Sequence, residues 1–273
     1  MGLNTSTLKR RYVIGSAAII ALALGAYGVG QYFPVLGPIA GTVAPQSYVQ
    51  SITDGQFPAR GRYILVDAAS ARLYMMEDGR VRDSMKVIVG KPEAQTPALR
   101  SVLHYATLNP YWNVPADLAQ KLIAPHVVQE GAAYLAARNY EVVSDFNDPN
   151  AEVYPPESVD WQAVADGRAQ VKVRQRPGPA NSMGQMKFNL ANANGIFLHD
   201  TPKKELFAKD VRTLSNGCVR LEDAPRLARW LLGGDPPLAT ASPEQHVALP
   251  RGGVPVTIAY LDASAQMQLA GLQ

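Results

Sequence analysis

RYILVDAASARLYMMEDGRVRDSMKVIVG, residues 62–90, decides the fold. RYILVD (62–67), the run through LYMME and RVRDSMKVIVG (80–90) read as strands, and Asp78-Gly79 between the last two is a two-residue hairpin turn. Working outward, KPEAQTPALR is a polar loop and SVLHYATLN (101–109) a further strand. Residues 117–138 carry two short helical patterns, DLAQKLI and PHVVQEGAAYLAARN, followed by the irregular, acidic DFNDPNAEVYPPESVDW. β-Character returns at QVKVRQ (170–175), MKFNL (186–190) and GIFLHD (195–200). EDAPRLARWLL (222–232) reads as a helix stopped by Gly233-Gly234, and VPVTIAYL (254–261) as a closing strand. The expectation is a mainly antiparallel β domain interrupted by a mixed α/β insertion at about 113–169.

Upstream of residue 62 the character differs. FPVLGPIAGTVAPQSYVQSITDGQFPAR (33–60) has no helical period and almost no charge, and reads as a linker. Before it, Lys9, Arg10 and Arg11 precede YVIGSAAIIALALGAYGVG, an apolar run of bilayer-spanning length. The basic cluster puts residues 1–11 on the cytoplasmic side of a signal anchor at 12–32. A cleaved signal peptide and a twin-arginine signal are the competing readings, and all three export the rest of the chain.

At 273 residues, 47% hydrophobic and 18% charged, the chain has the composition of a folded protein with a sizeable core. A net charge of +3 with no dense basic block argues against a nucleic-acid partner. The four histidines, His104, His126, His199 and His246, are scattered without metal-ligand spacing, so no metal is expected. The serine-hydrolase elbow, the P-loop and the dinucleotide fingerprint are all missing, and no cofactor is expected.

That leaves the single cysteine, in LSNGCVRLED (214–223). Alone in an exported chain, Cys218 has no disulfide role. Gly217 permits a tight turn, so the Gly217 and Cys218 amides could face a developing oxyanion. Arg220 and the helix beginning near Glu222 would favour the thiolate. His199, ending the apolar strand GIFLH, is the best base. Against this stand an inert core cysteine, a satisfied histidine and a plain Asn-Gly turn. The residues alone leave the two readings balanced.

HDT at 199–201 and SNGCVR at 215–220, with 15 residues between His199 and Ser215, resemble the L,D-transpeptidase catalytic domain of the YkuD type. ILVDAASARLYMMEDGRV resembles that family's opening hairpin. LNPYWNVP, RQRPGPANSMGQMKF and FLHDTP resemble its membrane-anchored branch in diderm bacteria, which carries a capping insertion. The resemblance implies a β-sandwich-like catalytic domain at 61–260, with a tail at 261–273 and no peptidoglycan-binding domain. It implies a peptidoglycan partner: Cys218 attacks a tetrapeptide stem to form a thioester, and His199 moves the proton. A second stem then resolves the thioester into a 3→3 cross-link. The Gly217 and Cys218 amides are the implied oxyanion hole, Arg220 the grip on a stem carboxylate, and Ser215 the residue that orients the loop. Tyr111 and Trp112 are the implied cleft wall, and Asn216 stands where the family most often has histidine. Asn181, Gly184 and Lys187 are expected to shape loops. The implied location is the inner membrane, single-pass, with the catalytic domain in the periplasm. An L,D-carboxypeptidase or lipoprotein–peptidoglycan hydrolase using the same site, and a silent wall-binding module, are the alternatives. No motif names a protein partner.

Overall fold

The computed structural model describes residues 60–272. The expected cytoplasmic tail, signal anchor and linker therefore lie outside the described residues, apart from Arg60. Among the described residues no helix is long and apolar enough to cross a membrane.

The opening stretch folds as the sequence predicts. β1 (Arg62–Asp67), β2 (Arg72–Glu77) and β3 (Arg80–Gly90) form an antiparallel meander. Asp78 and Gly79 both take positive φ, as a hairpin turn of this kind requires. The main sheet adds β4 (Leu99–Leu108), β9 (Met186–Leu190), β10 (Phe197–His199), β11 (Thr213–Ser215), β12 (Val219–Leu221), β13 (Gln245–Ala248) and β14 (Val254–Ala259). Its order is β11-β3-β12-β10-β9-β4-β14-β1-β2, with β13 beside β4 and β2 paired back onto β3. The mainly β class holds, in the form of one sheet that closes on itself. Most pairings are antiparallel, but β1–β14, β10–β12 and β11–β3 are parallel.

Burial explains why the middle of RYILVD, residues 63–66, is apolar without interruption. One face of β1 presents Ile64 and Val66 to the main core, which also takes Phe188, Leu198, Val219, Leu221 and the apolar side of the Ala224–Leu232 helix. The other face presents Tyr63 and Leu65 to a smaller cluster with Tyr74, Met76, Ala265 and Leu269. A strand covered on both sides loses the alternation of a half-exposed one.

That second cover corrects the expected tail at 261–273: Ala263–Ala270 is a helix packed on the first two strands. Asp262 caps it, and the fully buried Asp67 carboxylate ties it down. Asp67 accepts from the Leu261 amide at 3.1 Å, from Gln266 at 2.9 Å, from the Ala69 amide at 3.0 Å and from the Ser70 hydroxyl at 2.5 Å.

The insertion is wider than 113–169. Its own sheet joins β5 (Trp112–Asn113), β8 (Val173–Gln175), β6 (Tyr140–Val143) and β7 (Val153–Tyr154) in that order. QVKVRQ therefore closes the insertion and does not join the main sheet. The first helical pattern continues into the second, through a π-helical turn at Ala119–Ile123, until Gly131 ends it. A separate core of Val114, Ile123, Leu135, Val142, Trp161 and Val173 makes this a folded unit of its own. Asn181 fastens both crossings: its amide donates to the carbonyls of Pro110, Gln175 and Arg176.

Replacing Asp67 with Ala would strand two backbone amides and the Gln266 amide in the interior. We expect a loss of about 3 kcal/mol and a melting temperature lower by roughly 6–12 °C, read by thermal unfolding. A shift below ~2 °C would mean that the C-terminal helix is not held by this carboxylate.

Candidate active site

The site begins with a register. β10 and β12 run parallel, with Leu198 opposite Val219 and His199 opposite Arg220. Side chains alternate along a strand, so Leu198, Val219 and Leu221 enter the core while Phe197, His199, Cys218 and Arg220 emerge together on the other face. Cys218, one residue ahead of β12, thus lies diagonally across from His199 on the same face.

The cysteine turn is built from Ser215 and Thr96. The buried Ser215 hydroxyl donates to the Cys218 carbonyl at 2.6 Å and accepts from the Gly217 amide at 3.1 Å. The Thr96 hydroxyl, also buried, donates to the Gly217 carbonyl at 2.7 Å and accepts from the Gly90 amide at 2.9 Å. Tyr260 in turn donates to the Thr96 carbonyl at 2.8 Å. Gly90 must lack a side chain, because a Cβ there would lie 2.1 Å from the Ala94 carbonyl oxygen. Gly217 takes φ +117°, a conformation that favours glycine.

His199 is buried, and its Nδ1 lies 2.6 Å from the Asp200 carbonyl oxygen. A carbonyl only accepts, so Nδ1 carries the proton and Nε2 of the neutral ring is left as the base. Burial, reinforced by the positive charge of Arg220, depresses His199 to about 4. Burial also raises the Cys218 thiol, although the Phe197 amide and Arg220 oppose it. Both shifts run against the expected thiolate and favour the neutral forms of thiol and imidazole. The helix contributes little because its first residue, Ala224, stands beyond the whole of β12, and its N-terminus is already capped by Asp223. The thiol points toward the Gly195 carbonyl at 3.7 Å.

Other expected residues fall differently. The Gly217 amide is spent on Ser215, so of the expected oxyanion pair only the Cys218 amide is left for that task. Arg220 is half-buried and, among the described residues, has no ion pair or hydrogen bond. Asn216 is exposed at the tip of the turn. Trp112 packs with the core of the insertion, tilted against Tyr140. Tyr111 lines a different hollow, a groove of about 310 Å³ shared with Asn109, Asn139 and Arg176, to which neither Cys218 nor His199 belongs. Lys187 pairs with Glu244 at 2.9 Å, and Gly184 admits Asp200, consistent with shaping roles. Thr96 and Asp200 were missed. Asp200 adjoins the histidine, which is a usable signal, whereas Thr96 looks like any loop threonine. Among the described residues no acidic, histidine and cysteine side chains cluster to hold a metal.

A mainly β domain bearing a free thiol and an imidazole on one face has a known counterpart. The family model described as the L,D-transpeptidase catalytic domain, YkuD, matches residues 61–256. The chain belongs to that family, an acyltransferase class. A Haemophilus influenzae protein, provisionally described as an L,D-transpeptidase, is 35% identical over 169 residues, or 62% of this chain and 33% of that protein. The chain thus spans about a third of the length of this curated relative. An L,D-transpeptidase structure from Mycobacterium smegmatis is 13% identical, covers 72% of this chain and 58% of its own, and has a TM-score of 0.36. The catalytic domain of an E. faecium L,D-transpeptidase acylated by ertapenem is 14% identical over 73% of this chain and 97% of that one, at 0.34.

Two outcomes test this geometry. Thr96→Val should leave the Gly90 amide and Gly217 carbonyl unpaired, costing about 2 kcal/mol and speeding hydrogen exchange at Gly217 and Cys218; unchanged exchange would deny Thr96 its hold on the turn. Alkylation of Cys218 by iodoacetamide should climb steadily with pH to beyond the ordinary thiol range. A plateau already reached by pH 6 would instead reveal a thiolate–imidazolium pair.

Proposed function

We propose that the protein is a peptidoglycan L,D-transpeptidase that joins stem peptides by 3→3 cross-links through a thioester on Cys218. The observation that carries this reading is the shared face of β10 and β12, where thiol, imidazole and a guanidinium without a partner among the described residues stand together. A thiol and a neutral base side by side suit acyl transfer. A cation beside them with no partner among the described residues suits a substrate with carboxylates.

The sulfur attacks the carbonyl joining the L-centre of meso-diaminopimelate to the terminal D-alanine of a tetrapeptide stem, passing its proton to Nε2 of His199. Because both groups rest uncharged, proton transfer accompanies S–C bond formation and no buried ion pair has to be maintained beforehand. The Cys218 amide supports the oxyanion. D-Alanine departs with the proton held by His199, leaving a thioester. The side-chain amine of a second stem, deprotonated by His199, then displaces the sulfur, which recovers its proton. Arg220 grips a stem carboxylate, while Ser215 keeps the turn in register.

The apolar run following Lys9, Arg10 and Arg11 supports a single-pass inner-membrane anchor with residues 33–60 as linker and the catalytic domain in the periplasm. In this reading the 112–175 unit caps the cleft.

The test incubates the full chain with disaccharide-tetrapeptide and follows protein and products by mass spectrometry. A dimer lacking one D-alanine and an acylated protein are expected. Cys218→Ala and His199→Ala should lower turnover by at least about a thousandfold, and Arg220→Met should raise KM about tenfold. Turnover persisting in Cys218→Ala would end this reading, and tripeptide as the sole product would replace the cross-linking step with hydrolysis.

A further inference from the structure

Asp200 is held at every polar atom it has. Its amide donates to the Met186 carbonyl at 2.8 Å, and its carbonyl accepts from His199 Nδ1. One carboxylate oxygen accepts from the Gln185 amide at 3.0 Å, and the other pairs with Lys204 Nζ at 2.6 Å. The fit is close: a Cβ on Gly184 would sit 2.4 Å from that carboxylate.

Lys204 reaches further than an ordinary surface partner. Besides Asp200, its ammonium donates to the Glu222 carbonyl at 2.8 Å and the Leu221 carbonyl at 3.2 Å, where β12 ends. All three donors of the ammonium are thereby used. The two strands that carry His199 and Cys218 are thus joined beyond their short register by one side chain.

We propose that Lys204 is a positioning residue for His199: by fastening the Asp200 carboxylate to the end of β12, it fixes the peptide whose carbonyl receives the Nδ1 proton and so aims Nε2 at the thiol. Without it, Asp200 keeps only the Gln185 amide on its side chain and the carbonyl can swing. An imidazole displaced by a fraction of an ångström loses much of its effect as a base.

Lys204 also has an electrostatic role that mere scaffolding lacks. His199 is faced by Arg220 from β12 and the Cys218 thiol just ahead of it, by Lys187 across the β9 pairing, and by Asp200 and Lys204 from its own loop. The Asp200 charge raises the His199 pKa and the Lys204 charge lowers it. Removing Lys204 therefore leaves an unbalanced carboxylate beside the ring, and the ring becomes easier to protonate.

The catalytic part of this inference rests on the transpeptidase reading, so the experiment has two readouts. The first is the His199 side-chain titration by NMR in the full chain, assigned with His199→Gln. Lys204→Met should raise the midpoint by about one unit, Asp200→Asn should lower it, and Lys204→Arg should stay near the wild type. The second is turnover of disaccharide-tetrapeptide. Here Lys204→Met should lose about tenfold in kcat with KM within about twofold, and Lys204→Arg should recover most of it. A Lys204→Met protein that titrates and turns over like the wild type overturns the proposal. If the wild type makes no product, the transpeptidase reading fails, and the titration alone then decides whether Lys204 governs His199.

Discussion

Two short strands paired in parallel place the cysteine and the histidine of this molecule on one face. The Leu198–Val219 and His199–Arg220 register buries one set of side chains in the main core and turns the alternate set outward. A slip of one residue would send the thiol into the core and expose two aliphatic side chains, a change the packing of Leu198 and Val219 strongly resists. Core packing therefore enforces the geometry of the candidate site. The strands are only three residues long, which is why the hydroxyls of Ser215 and Thr96 and the web around Asp200 matter at their ends.

Burial sets the electrostatics. The interior disfavours a charge on either the imidazole or the thiol, and Arg220 acts on the two in a compatible sense, opposing the imidazolium and favouring the thiolate. The resting site thus holds one formal positive charge, on a guanidinium without a partner among the described residues. Such a cation is costly to leave half-buried unless a ligand completes it.

Much of the fold was legible in the residues. The Asp78-Gly79 turn, the strand runs and the helix before Gly233 are local features in which turn chemistry and periodicity leave a direct trace. Less legible was whatever depends on a distant partner. The C-terminal helix has weak amphipathicity, and its role comes from Asp67, some 200 positions earlier in the chain. QVKVRQ has the same strand character whichever sheet receives it, and only pairing with β5 and β6 assigns it to the insertion. Trp112 was drawn into that core for the same reason.

By itself the sequence determined the alphabet of the site: one cysteine after a glycine, one histidine ending an apolar strand, and an arginine two residues beyond the thiol. It also determined that the fold would be mainly β. Tertiary structure alone decided the parallel closure of β10 on β12, the loss of the Gly217 amide to Ser215, and the neutral state of the thiol and imidazole. Residue identity sets which groups can ionise or donate. How far each is stripped of water, and which carbonyl or hydroxyl it meets, depends on chain segments brought together from far apart.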